Sequence, residues 1–126
     1  MWDGFDKRKF PRLSLTCEIT IHSEEEPKPI SATTENLGIG GVCVFLDHAL
    51  ERFSTCRIKL DLGSKNPRIE CAGKVVWTVP TRQVKQTKRR FDTGIEFVDL
   101  DVKEQEFIRG YIETELRKSP EKLVGR

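Results

Sequence analysis

From residue 14 to residue 98 the chain repeats with a period of two, and past residue 101 the period changes. A two-residue repeat sends successive side chains to opposite faces of a strand, so this pattern commits most of the chain to sheet. Leu15, Cys17, Ile19 and Ile21 alternate with polar neighbours and read as a first strand. Residues 30–35 read as a second, and residues 36–40 as a glycine-rich turn. Val42, Val44 and Leu46 alternate with Cys43 and Phe45, which predicts a third strand covered on both faces. Cys56, Ile58, Leu60 and Leu62 alternate with Arg57, Lys59 and Asp61 in a fourth. Ile69, Cys71, Val75 and Trp77 are expected on one face of a long fifth strand, with a bend or bulge at Gly73. Residues 80–90 read as a polar, basic loop. Phe91, Thr93, Ile95 and Phe97 share a face of a sixth strand.

The closing segment follows helical spacing instead. Phe107, Ile108, Tyr111, Ile112 and Leu116 recur at steps of three and four, one apolar stripe along a helix from about residue 102 to 118. Asp101 and Glu104 have the spacing of a capping box, and Pro120 ends the helix. Residues 119–126 read as a frayed tail, and residues 1–13 as a flexible arm. Six short antiparallel strands and one helix predict an all-β domain with a C-terminal helix. The sheet is expected to close into a small barrel, because closure removes exposed edges.

A chain of 126 residues, 37% hydrophobic and 33% charged, suits one soluble globular domain over residues 1–126. No apolar run approaches the length of a membrane span and no secretory leader is visible, so the expected location is the cytoplasm. Cys17, Cys43, Cys56 and Cys71 lie far apart on predicted strands, without metal-ligand spacing. They read as reduced, buried thiols acting as small hydrophobes. His22 and His48 sit in no nucleophile or metal motif, and no paired carboxylates stand out. We therefore expect no enzyme, no metal and no cofactor. Gly38, Gly40 and Gly41 precede a strand rather than a helix, which excludes dinucleotide-fold and P-loop readings.

The charge is local. The net value is only +2, yet Lys7, Arg8, Lys9 and Arg12 crowd one segment, and Arg82, Lys85, Lys88, Arg89 and Arg90 another. Separate basic clusters in a near-neutral chain suit a compact anion better than a long polyanion. Arg8 and Arg12 are four apart, and Pro11 keeps their segment extended or turned. An arginine donates two parallel hydrogen bonds to guanine O6 and N7 or to a phosphate, and it stacks on bases. Asn36 adds an amide that both donates and accepts. The glycines around it permit positive φ and close backbone approach.

Arg8 to Arg12 as R-x-x-x-R before the first strand, with Asn36 and Gly41 at the ends of a [D/N]-x-S-x-x-G motif after the second, resemble PilZ domains. Gly38 stands where that motif has Ser. Gly73-Lys74-Val75-Val76-Trp77 and Phe91-Asp92-Thr93-Gly94-Ile95-Glu96-Phe97 are similar to the family's later strands. The resemblance covers residues 7 to about 116. It implies a six-stranded antiparallel barrel of split-barrel or Greek-key type with a C-terminal helix.

The resemblance also implies cyclic di-GMP as ligand, held by Arg8, Arg12, Asn36, Gly38 and Gly41, with Lys7, Lys9 and Trp77 as further contacts. Trp77 is open to two roles, stacking near the ligand or packing in the core. The implied function is an effector that orders its arm on the ligand and signals to a downstream protein. Losing a serine hydroxyl bond at residue 38 costs about 0.5–1.5 kcal/mol, which weakens binding without abolishing it. The departure leaves a second reading, an adaptor that works by protein contact without nucleotide. A third reading, a barrel that binds single-stranded nucleic acid, rests on the basic loop and Trp77, and the low net charge argues against it.

Overall fold

The structure is a computed structural model that describes residues 11–81 and 90–124. Its strands are β1 (Leu13–Ser14), β2 (Glu18–Ser23), β3 (Ile30–Leu37), β4 (Gly41–Leu46), β5 (Thr55–Asp61), β6 (Ile69–Thr81) and β7 (Arg90–Phe97). The helix α1 (Val102–Lys118) follows them. All pairings are antiparallel. The order β3-β2-β5-β6-β7-β4 closes on itself because β3 also pairs with β4. The result is a closed six-stranded barrel, with the two-residue β1 attached beside β3.

The first strand departs from the expected unbroken run. β1 and β2 lie along the same side of β3, and residues 15–17 bulge out between them. Thr34 patches the gap. Its hydroxyl donates to the Leu15 carbonyl at 2.6 Å and accepts from the Cys17 N–H at 3.0 Å. Thr34 is buried, so these bonds replace ladder bonds that water cannot supply.

Burial follows the alternation most clearly in β5, where Cys56, Ile58 and Leu60 are buried and Thr55, Arg57 and Lys59 are exposed. Val42, Val44 and Leu46 of β4 face the core, and Cys43 on the opposite side is also buried, so β4 is covered on both faces as expected. The barrel interior packs Ile19, Ile21, Ile58, Leu60, Val75 and Ile95 against Ile108 and Ile112 of α1. The helix has the expected bounds. Asp101 accepts from the Glu104 N–H at 2.8 Å, and the Glu104 side chain accepts from the Asp101 N–H at 3.2 Å, completing the capping box.

Three further expectations are corrected. The irregularity in β6 falls between Val75 and Trp77, not at Gly73. The extra residue turns Trp77 away from the face of Ile69, Cys71 and Val75, and it stands 40% exposed rather than in the core. Residues 80 and 81 extend β6, opposite Phe91 and Arg90, where a loop was expected. Pro80 fits there because β5 pairs with β6 only as far as Lys74, so one side of the strand needs no donor. The expected frayed tail is ordered through residue 124. A 3-10 turn (Pro120–Lys122) leads Leu123 to a bridge with Leu13, and the Val124 N–H donates to the Arg12 carbonyl at 3.0 Å. β1 has a free edge on that side, which the tail caps.

Candidate functional site

The β3–β4 connection is built around one carbonyl. The Gly41 C=O accepts from the Gly38 N–H at 2.8 Å, which closes the turn, and from Arg12 Nη2 at 3.2 Å. Asn36 lies within β3, opposite Ser14 and Cys43, rather than in the turn where the sequence placed it. Its Oδ1 accepts from Arg12 Nε at 2.6 Å. Arg12 Nη2 also lies 3.8 Å from the Cys43 Sγ. One guanidinium thus ties together β3, the turn and β4.

The glycines do different jobs. Among the described residues positive φ occurs only at Gly63 and Phe53, so the turn does not use the left-handed freedom expected of it. A Cβ at Gly41 would collide with the Ile95 carbonyl, so Gly41 lets β4 approach β7. The three atoms nearest to a Cβ at Gly38 would all belong to Arg12: Nη1 at 2.6 Å, Cζ at 3.2 Å and Cγ at 3.3 Å. Gly40 has open space around it.

Across the outer surface, Asn36, Cys43, Gly94 and Trp77 stand opposite one another on β3, β4, β7 and β6. Trp77 lies over Gly94, and its half-exposed ring forms the far end of this row. Arg12 and Trp77 therefore flank Cys43 on one continuous face. That face was not readable from either motif, because it depends on cross-strand register and on the β6 bulge. Cys43, Gly94, Glu35 and Asp92 were all missed as site residues. The only sequence signal was Gly94 in the middle of an otherwise bulky strand.

Glu35 and Asp92 supply negative charge beside the guanidinium. Burial, then the charge of Asp92, pushes the Glu35 carboxyl above its usual range, and Arg12 partly offsets both. Burial likewise raises the Cys43 thiol, with Arg12 opposing. Oxygens of Glu35 and Asp92 and the Cys43 sulfur lie within 4.8 Å of one another, a spacing compatible with a metal ion. The chemistry is less suitable. A guanidinium already faces the sulfur, and burial keeps the thiol protonated. We assign no metal there.

The structure brings together Arg12, Asn36, Gly38 and Gly41, and extends their surface to Trp77. Lys7, Arg8 and Lys9, and the basic segment from Arg82 to Arg89, lie outside the described residues. A groove of about 480 Å³ opens elsewhere, lined by residues 18–20 of β2, residues 30–33 of β3 and residues 45–48 at the end of β4. None of the motif residues lines it.

A family model described as PilZ domain matches residues 6–114. No curated protein matches the chain significantly in sequence. The fold is similar to that of several solved structures. The PilZ domain of YcgR from Escherichia coli, solved with c-di-GMP, is 13% identical with a TM-score of 0.70, the match covering 92% of this chain and 98% of that one. The Klebsiella (K. pneumonia) MrkH–c-di-GMP complex gives 12% identity and a TM-score of 0.75 over 91% of this chain and 54% of MrkH. The Bacillus subtilis inhibitor of motility MotI/DgrA gives 16% and 0.72 over 90% and 52%. The chain thus spans about half the length of the latter two proteins. At these identities the likeness is one of fold.

Proposed function

The chain belongs to the PilZ domain family, and from that premise we propose that it is a receptor for cyclic di-GMP, read by a downstream protein. The observation that carries this reading is the bond from Arg12 Nε to Asn36 Oδ1, which joins one residue of each motif in a single surface. The bond fixes the amide of Asn36. With Oδ1 engaged by a donor, the NH₂ group is the part left to meet a ligand. The Nη1 donors of Arg12 have no protein acceptor among the described hydrogen bonds. A surface offering donors suits guanine, whose O6 and N7 are both acceptors. It disfavours adenine, which presents its N6–H₂ donor at the same edge.

In this reading Arg12 and Asn36 take a guanine edge or a phosphate, and Gly38 and Gly41 shape the floor. The exposed ring of Trp77 supplies a stacking surface at the end of the row. Arg8, with Lys7 and Lys9 as lesser contacts, closes on the ligand from the arm, four residues before Arg12. Arg12 itself is already docked on Asn36 and on the turn. The resulting surface is what the downstream protein reads. No helix among the described residues is long and apolar enough to cross a membrane.

Calorimetric titration tests the reading. Saturable heat with cyclic di-GMP, none with cyclic di-AMP, and loss of the signal in Arg12→Ala are the expected results. Absence of heat at high micromolar cyclic di-GMP, or an unchanged isotherm in the variant, would reject it.

One observation favours the nucleotide-free adaptor instead. Glu35 and Asp92 place two carboxyl groups close to one another beside Arg12, where a phosphate would meet repulsion. Partner capture indifferent to cyclic di-GMP and to Arg12→Ala would establish that alternative. The same carboxyls weigh against a single-stranded nucleic acid on this face.

A further inference from the structure

We infer that Gly38 is a positioning residue: the absence of a side chain there seats Arg12, so the glycine strengthens ligand binding where the family motif has a serine. The inference deepens the cyclic di-GMP reading, and its affinity arm rests on that reading.

The geometry is specific to this chain. Gly38 is buried, yet neither φ nor neighbouring backbone requires a glycine. The three atoms nearest to a Cβ at residue 38 all belong to the Arg12 side chain, the closest being Nη1 at 2.6 Å. Gly41 differs, since its Cβ would strike the backbone of β7. A side chain at residue 38 therefore displaces the Arg12 guanidinium rather than strand backbone.

Eviction removes three contacts together: Nε to Asn36 at 2.6 Å, Nη2 to the Gly41 carbonyl at 3.2 Å, and Nη2 to Cys43 at 3.8 Å. The backbone of Arg12 is meanwhile held by the Val124 N–H at 3.0 Å. A residue fixed at both ends has lost its rotamer freedom before any ligand arrives. Holding one long side chain in place in advance saves about 0.5–1.5 kcal/mol on binding, equivalent to about two- to tenfold in affinity. That is as much as a serine hydroxyl bond would contribute. The departure at residue 38 thus exchanges one ligand contact for a preset arginine.

The test uses Gly38→Ala, Gly38→Ser, Arg12→Ala and the Gly38→Ala/Arg12→Ala double variant. Thermal unfolding without ligand reads the seat directly. Gly38→Ala and Gly38→Ser are expected to lower Tm by about 3–6 °C. In the Arg12→Ala background, Gly38→Ala is expected to lower it no further, because nothing remains to evict. An equal loss in both backgrounds would place the effect in the turn and overturn the inference.

Titration with cyclic di-GMP reads the consequence. Both Gly38 variants are expected to bind about two- to tenfold more weakly than wild type. Gly38→Ser binding as tightly as wild type, or tighter, would overturn the inference. Absence of heat from every protein, wild type included, would reject the ligand, and the unfolding cycle would then decide the seat by itself.

Discussion

The indole of Trp77 lies flat on Gly94: a Cβ at residue 94 would stand 2.6 Å from each of its Cδ2, Cε3 and Cζ3 atoms. The two residues face each other across β6 and β7. A rigid bicyclic ring cannot yield as a flexible chain end does, so Gly94→Ala must lift the indole or bend the strand. We predict a loss of about 1–3 kcal/mol in urea unfolding. In a Trp2→Phe background, where Trp77 is the one indole left, its emission should shift to the red. Unchanged stability and emission together would show that the ring does not rest there.

Thr34 supports a prediction on the barrel seam. Its hydroxyl is the one group that serves both Leu15 and Cys17 where the first strand breaks. Thr34→Val keeps the shape and removes both bonds, leaving a carbonyl and an N–H without partners. The expected destabilisation is about 2–3 kcal/mol. Thr34→Ser, which keeps the hydroxyl, should recover most of it. Equal losses in the two variants would mean that the methyl matters more than the bonds.

These two positions also show where the sequence was informative. The helix from residue 102 to 118 and its capping box were legible because a cap and a 3.6-residue stripe are local properties. Alternation placed the strands for the same reason. Arg12 and Asn36 were legible as motif members, and the structure brings them into contact. The pairing of Trp77 with Gly94 was not, since it depends on a one-residue bulge that redirects every side chain beyond it. Thr34 was hidden because its role arises where two segments distant in sequence meet, residues 15–17 and β3. Gly38 looked like a missing contact in sequence, whereas the space above it belongs to a residue 26 positions earlier, Arg12.

Alkaline pH should weaken the fold through two core thiols. Burial pushes Cys56 up to about 11 and Cys71 up to about 12, from an ordinary value of 9.0. Below pH 9 both are protonated, folded or unfolded, and their contribution is fully present. Between pH 9 and the folded values, the unfolded chain releases protons that the folded chain retains. Stability then falls by about 1.4 kcal/mol per pH unit for each thiol. Urea midpoints at pH 8 and pH 10.5 measure the slope. Cys71→Ala should start from lower stability but decline less steeply over that interval. Parallel declines would locate the titration elsewhere.

Glu35 gives a prediction on the ligand itself, under the cyclic di-GMP reading. Its carboxyl is raised by burial and by Asp92, and is lowered by Arg12. When ionised it opposes an incoming phosphate and competes for the guanidinium. Removing one charge near the site is worth on the order of 0.5–1 kcal/mol in a largely solvated setting, so Glu35→Gln should bind about two- to fivefold more tightly at pH 7.5. The sign with pH follows. A raised pKa means that acidification neutralises Glu35 sooner than an ordinary carboxyl, so wild-type affinity should rise between pH 7.5 and pH 5.5. The Cys43 thiol, raised further by burial, stays protonated throughout that range. The Gln variant should therefore show a flatter profile. Titrations of both proteins at the two pH values decide the matter. Weaker binding by Glu35→Gln would mean that the carboxylate holds Arg12 in place rather than opposing the ligand.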